Sequence, residues 1–381
     1  MISTDPGRGT GAGIPCALTA LASLATAAIL AGWLTTDWLP FCAGPVVFLG
    51  AALPLILRWT PVNEPSALKV CLLASLLSPA LVTCLFLSLE RAGVPGPWPW
   101  TFALLAGLSL GALRRPLRFA PCGRAAWATL VFLALSAALL AYGLLGLGNA
   151  PRLTHDGALW SAGVVAMFER GGPWENPWLA GTPLPTHPGY ALLVRTIAHT
   201  LGLAAPSAQA LVSIWSLATL PVALYLLAAP LWRESRRTFL GAPLALLGWN
   251  AWAGWRAWAG ATQEVESGAL AGVQRWTADL AAPLADAAQG SVLYGGSAFF
   301  GVGPGAPALA LAVGAWMCAA HALRHGQRPW VGLCGLLHAL SAVFEPTLAL
   351  AAALATAIAA LVHPGVPRVR ASLLLSILAW G

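Results

Sequence analysis

Apolar residues fall along this chain in long blocks, with polar ones gathered between them. Blocks near residues 13–34, 40–57, 67–89, 98–113, 126–149, 207–231, 239–255, 306–323, 329–344 and 347–362 approach the length of ~20 apolar residues that a helix needs to cross a bilayer core of ~30 Å. No convincing cleavage site follows the first block, so it reads as a retained span. A last apolar run, Ala371 to Gly381, starts like a further span and stops after eleven residues. That pattern is expected of a C-terminally truncated piece of a longer protein.

Two shorter stretches break the block pattern. Gly189–Gly202, GYALLVRTIAHTLG, is 14 residues long and carries Arg195 and His199 four apart. Residues at that spacing share one helical face. The stretch reads as an amphipathic helix lying at the membrane surface, opened by Pro188 and closed by Gly202. Asp156–Arg170 reads likewise. Asp156 caps its start, Trp160, Val164, Met167 and Phe168 form an apolar face, and Gly171-Gly172-Pro173 ends it. The fold class predicted is an all-α integral membrane protein. It is a polytopic helical bundle of about ten complete spans plus a truncated one, with amphipathic juxtamembrane helices in the first large outer loop. Residues 1–125 form N-terminal membrane helices and 126–381 a second membrane core, with outer loops at 150–206 and 256–305.

Composition narrows this further. The hydrophobic fraction is 58%, the charged fraction 9% and the mean hydropathy +0.75 over 381 residues. Soluble domains carry roughly 25% charged residues, so water could not solvate this chain as a globule. Intrinsic disorder, which needs low hydrophobicity and high charge, is excluded by the same figures. The 30 prolines and 40 glycines suit membrane helices, where both are commoner than in soluble ones. The seven cysteines form no C-x-x-C pair and point to neither a disulfide framework nor a zinc site.

The formal charge of +7 becomes a topology signal once it is mapped. With the N-terminus in the cytoplasm, 14 basic and 3 acidic residues lie inside, against 6 basic and 10 acidic outside. Basic loops are retained on the cytoplasmic side, so the large loops face outward and the chain is expected in the inner (cytoplasmic) membrane of the cell. The positive balance therefore needs no nucleic acid partner; the bilayer is the partner. Trp33, Trp38, Trp59, Trp98, Trp100, Trp232, Trp255, Trp258 and Trp330 lie near span ends, as an aromatic belt requires.

Candidate chemistry collects in the outer loops. The first reads RLTHDGALWSAGVVAMFERGGPWENPWLAGTPLPTHPGYALLVRTIAHTLGL. It holds His155-Asp156 soon after a span, an amphipathic segment ending in Gly171-Gly172, a turn from Pro177 to Gly181, and an apolar segment from Pro188 to Gly202. The next span ends in the basic cluster WRESRRT. Over about 85 residues this order resembles the GT-C superfamily of polytopic glycosyltransferases, which use polyprenyl-phosphate sugars. Two features depart from that pattern. Five spans precede the motif, and a single Asp follows His where an acidic pair is commoner.

The resemblance implies transfer of a sugar from a lipid-phosphate donor to an acceptor hydroxyl on the outer face. An acidic group must take the hydroxyl proton, and cations must stabilise the departing phosphate. The resemblance gives the base role to Asp156, which otherwise serves as a helix N-cap; the two roles are compatible. His155 is a second polar contact or a metal ligand, or else an interfacial histidine. His187, before Pro188, stands where a phosphate meets a helix N-terminus. Arg195 and His199 face water or headgroups and are candidates to hold the lipid phosphate. Glu169 and Glu175 are solvated loop acids or complete a sugar or divalent-metal site. Glu345, at the outer end of a helical hairpin, is an acid at membrane depth or an ordinary turn residue. No cofactor is firmly implied beyond the polyprenyl-phosphate sugar as co-substrate, and the acceptor is not specified.

The second loop holds Gln263, Glu264, Glu266, Arg275, Trp276, Asp279 and Asp286, followed by the glycine-rich SVLYGGSAFFGVGPG. It reads as an ordinary folded loop or as a cover over the site. His338, inside an apolar run, reads as a hydrogen-bonded core residue. The competing functional classes are a transporter or lipid flippase, and a non-catalytic membrane protein with a degenerate site. Transporters show broken or charged helices at mid-membrane and internal repeats.

Overall fold

The computed structural model describes residues 13–59, 67–112, 175–176, 179–183, 188–228, 304–363 and 367–380. They form helices joined by short turns, with one antiparallel pair of short strands. The chain divides into two compact units, Met1–Ala126 with Thr196–Leu203, and Trp127–Arg195 with Ala204–Gly381.

The first unit contains α1 (Gly13–Leu30), α2 (Leu39–Pro45), α3 (Leu53–Trp59), α4 (Ala67–Arg91) and α5 (Pro97–Ala112). A 3-10 turn, Thr36–Trp38, leads into α2, and a π-helical segment, Val46–Gly50, lies between α2 and α3. The segment 40–57, read as one plain span, is thus irregular in its middle. Pro45 and Pro54 explain the position, since neither has an N–H for the helical ladder. The Ala51 N–H reaches back to Val46 O at 2.9 Å, the five-residue step of a π turn. The Ala52 N–H leaves the ladder altogether and donates to Ser78 Oγ on α4 at 2.9 Å, with both groups buried. Without water, a backbone donor freed in a span needs such a partner. Gly50 makes the close packing possible, because a Cβ there would lie 2.7 Å from Thr19 Cγ2.

The largely apolar interior of this unit also holds buried hydroxyls. Ser23, Thr26, Ser78, Thr101 and Ser109 have no exposed surface. Most satisfy themselves on their own helix, as when Ser23 Oγ donates to Thr19 O at 2.7 Å and Ser109 Oγ to Leu105 O at 2.9 Å. The outer faces carry leucines instead: Leu18, Leu21 and Leu24 on α1, and Trp100, Leu104 and Leu108 on α5, are all exposed. Outer faces covered by large apolar side chains are unfavourable in water, and lipid is the solvent that fits them.

In the second unit, Glu175–Asn176 (β1) pairs antiparallel with Leu179–Pro183 (β2), Glu175 opposite Pro183 and Asn176 opposite Leu179. No strand is expected there from the sequence. Pro177, Gly181 and Pro183 disfavour a helix, and extended pairing satisfies the backbone instead. Helix α6 (Pro188–Leu201) begins in this unit and ends in the first. Then come α7 (Ala205–Ala228), α8 (Gly305–His325), α9 (Arg328–Phe344), α10 (Pro346–Val362) and α11 (Pro367–Trp380). Helix α8 packs between α7 and α9, and α10 and α11 pack on α9.

Side-chain hydrogen bonds lace α8, α9 and α10 together. Ser341 Oγ donates to Ala308 O at 3.0 Å, and Trp316 Nε1 donates to Ala352 O at 3.0 Å. His338 Nε2 lies 3.0 Å from Thr356 Oγ1. Thr356 spends its own proton on Ala352 O at 2.9 Å, so it accepts from the His338 ring. His338 is therefore the hydrogen-bonded core residue expected, 4% exposed. On α10, Leu350, Leu354, Ile358 and Leu361 form an exposed apolar stripe at helical spacing. Beyond that helix, Arg370 Nε donates to Ala360 O at 2.8 Å and Arg370 Nη2 to Leu361 O at 2.6 Å, so one guanidinium caps the end of α10.

Helices occupy eight of the ten segments read as spans; 126–149 and 239–255 lie outside the described residues. Four helical stretches are long and apolar enough to cross a membrane: Thr36–Trp59, Leu68–Arg91, Ala205–Leu227 and Gly305–His325. Pro15–Leu30, Arg328–Phe344 and Pro346–Val362 are shorter apolar helices. The last run is a helix from Pro367 rather than from Ala371. Trp33, Trp38, Trp59 and Trp100 are exposed, as belt residues should be, whereas Trp98 and Trp330 are buried among other rings.

Candidate functional site

Helix α6 is the best-defined part of the expected site. Pro188 stands at its first position, where a missing N–H costs nothing. Gly202 ends it with φ +64°, a left-handed conformation that glycine adopts without strain. The Leu203 N–H returns to Ala198 O at 2.8 Å and the Gly202 N–H to His199 O at 3.4 Å, the paired bonds of a Schellman stop.

Its environment differs from the surface position expected. Tyr190, Val194, Ile197 and Thr200 are fully buried, and Ala191, Leu193 and Thr196 nearly so. The sequence pattern shows which face of such a helix is apolar, but protein covers far more of it than that face. Burial also pushes the Tyr190 phenol above its ordinary range. Arg195 and His199 meet different surroundings. Arg195 is intermediate in exposure, with its Nε and Nη1 atoms buried. His199 is exposed, and its ring stacks on Trp98 with centroids 4.5 Å apart. Trp98 in turn stacks on Phe86 at 3.7 Å. The Thr83 and Thr196 hydroxyls meet at 3.1 Å beside this ladder. The His199 ring is therefore held by aromatic packing.

The first turn of α6 is set against the end of α9. A Cβ on Gly189 would collide with Val343 Cγ1 and would lie 2.9 Å from Val343 O. Only glycine permits that approach. Glu345 follows two residues later, so its Cα lies within ~7.6 Å of that of Val343. Glu345 joins α9 to α10 in an extended conformation, φ −149° and ψ 93°. Its N–H donates to Ser341 O at 2.8 Å, and its Oε1 accepts from Thr347 Oγ1 at 2.5 Å. Glu345 is partly exposed. Two expected features far apart in sequence, the start of α6 and Glu345, are thus neighbours.

His155, Asp156, Glu169 and His187 lie outside the described residues, as does the second loop from Gln263 to Asp286. Glu175 is placed by its backbone in β1, opposite Pro183. Among the described residues no group of three or more His, Cys, Asp or Glu side chains gathers to hold a metal ion. One pair not singled out in the sequence is His321 and His325, at the end of α8, whose ring centroids are 4.6 Å apart. The four-residue spacing was the available signal. Comparison with protein-family models, curated proteins and solved structures gives no match.

Proposed function

We propose that this chain is a membrane glycosyltransferase that moves a sugar from a polyprenyl-phosphate donor to an acceptor on the outer face of the cytoplasmic membrane. About ten spans, a cytoplasmic N-terminus and outward-facing large loops belong to the same reading. Asp156 takes the acceptor hydroxyl proton as that oxygen attacks the anomeric carbon, and the lipid phosphate leaves. His155, His187, Arg195 and His199 supply donors or positive charge for the phosphate. Glu169, Glu175 and Glu345 serve the sugar hydroxyls or a divalent metal.

The observation that most supports this is the seat of Gly189 on Val343. It draws the start of α6, which the outer loop feeds through His187, next to Glu345. In this reading the backbone N–H groups at the start of α6 take the phosphate and the nearby Glu345 takes a sugar hydroxyl. The test is transfer from a radiolabelled polyprenyl-phosphate sugar by wild type and by Asp156→Asn in the full chain. Abolished transfer is expected for the variant, and unchanged transfer would remove Asp156 from the base role.

A specific observation favours a second reading, a transporter or lipid flippase. The π-helical interruption of the stretch Leu39–Trp59, with the Ala52 N–H turned to Ser78, is a local irregularity of the kind that transport helices use. Substrate uptake into vesicles without product formation would favour it.

A further inference from the structure

The end of α8 carries chemistry that the proposed transfer does not use. His321 and His325 are one helical turn apart, on one face, with ring centroids 4.6 Å apart and ring planes inclined by 54°. Two imidazoles that share one ion at the usual nitrogen–metal distance of ~2.0–2.1 Å hold their ring centres ~4.5–5 Å apart. The observed spacing, which a tilted ring contact also produces, leaves room for one ion shared between the two rings.

The surroundings fix one ring and leave the other open. His321 is half-buried and meets Trp330 edge-on, with centroids 4.6 Å apart and an interplanar angle of 67°. Trp330 is itself buried and donates its Nε1–H to Gln327 Oε1 at 2.8 Å. Outer groups that lock the orientation of a liganding histidine are a regular part of metal sites. His325 is exposed, so further coordination positions face water.

The backbone also suits a cation. Both histidines lie near the C-terminal end of α8, where the outward-pointing carbonyls carry partial negative charge. Gly326, at φ +68°, closes this end by donating its N–H to Ala322 O at 2.8 Å. Arg324 and Arg328 oppose a cation, but both are exposed and screened by solvent.

We propose that His321 and His325 form a two-histidine chelate for a divalent transition-metal ion, with water completing its coordination. Imidazole ligands without a carboxylate select copper, nickel or zinc and disfavour calcium and magnesium. Affinity follows the usual order, with Cu2+ above Ni2+ and Zn2+. Binding is lost on acidification, because each imidazole must be neutral to coordinate. The site draws only on this hairpin and stands whether or not the transfer reading holds.

The experiment is Cu2+ titration of the untagged full chain in detergent, read by electron paramagnetic resonance and calorimetry. Wild type is expected to show a site with two imidazole nitrogens. His325→Ala removes an exposed ring without disturbing Trp330 and should weaken that site at least tenfold. His363→Ala, outside the pair, should leave it unchanged. Wild-type affinity retained in His325→Ala, a signal from a single nitrogen, or equal competition by Mg2+ would each overturn the proposal.

Discussion

Replacing Gly189 by alanine is the sharpest test of how the start of α6 is held. The added Cβ would overlap Val343 Cγ1 and lie 2.9 Å from Val343 O and 3.2 Å from Val343 C. Non-bonded carbons prefer about 3.5–4.0 Å, so something must move. Rotation of Val343 relieves the Cγ1 overlap but not the contacts with backbone atoms. Overpacking of this kind costs about 1–3 kcal/mol. Alanine recovers up to ~1 kcal/mol of helix propensity in a helix interior, and less at the second position of α6. The net expectation is a loss of about 1–2 kcal/mol. Thermal unfolding of purified Gly189→Ala in detergent measures it. Val343→Ala alone should be mild because Val343 is 49% exposed. Combined with Gly189→Ala it should return part of the loss, a coupling of at least ~0.5 kcal/mol, while the carbonyl contact keeps the remainder. A Gly189→Ala protein as stable as wild type would refute the reasoning.

Five further substitutions probe the packing. Ser78→Ala strands the Ala52 N–H in the interior, which should cost about 1–3 kcal/mol and speed exchange of that amide; unchanged exchange would mean the π segment finds another acceptor. Thr356→Val removes the acceptor for His338 Nε2 at nearly constant volume, with a similar cost in thermal unfolding. Adding His338→Leu should recover most of that loss, since both polar partners are then gone. Arg370→Ala uncovers the Ala360 and Leu361 carbonyls, costing about 1 kcal/mol and loosening the last turn of α10 in hydrogen exchange. Arg370→Lys should restore only part, because an ammonium lacks the guanidinium fork.

Much of the helical layout was legible in the sequence because the signals were local. Pro188 and Gly202 mark both ends of α6, and Glu345-Pro346 marks the break between α9 and α10. What escaped depended on neighbours. The apolar face of α6 says nothing of what covers it, so a helix read as lying on a surface proves largely buried. The π segment follows from Pro45 and Pro54, but the partner that makes it tolerable, Ser78, is 26 residues away. The same holds for Gly189, whose need for glycine is set by Val343 on another helix. Glu345 was singled out from its place at a hairpin end, and its nearness to the start of α6 could come only from the fold. The histidine pair on α8 was legible in its spacing, while the bracing by Trp330 was not.

The central claim is outer-face sugar transfer, and sidedness tests it most directly. Right-side-out membrane vesicles carrying the full chain would be given radiolabelled polyprenyl-phosphate sugars and a panel of membrane-impermeant acceptors. The account predicts labelled product on the outside with wild type and none with Asp156→Asn. Absence of product with wild type across the panel, together with movement of labelled lipid or solute across the bilayer, would contradict it.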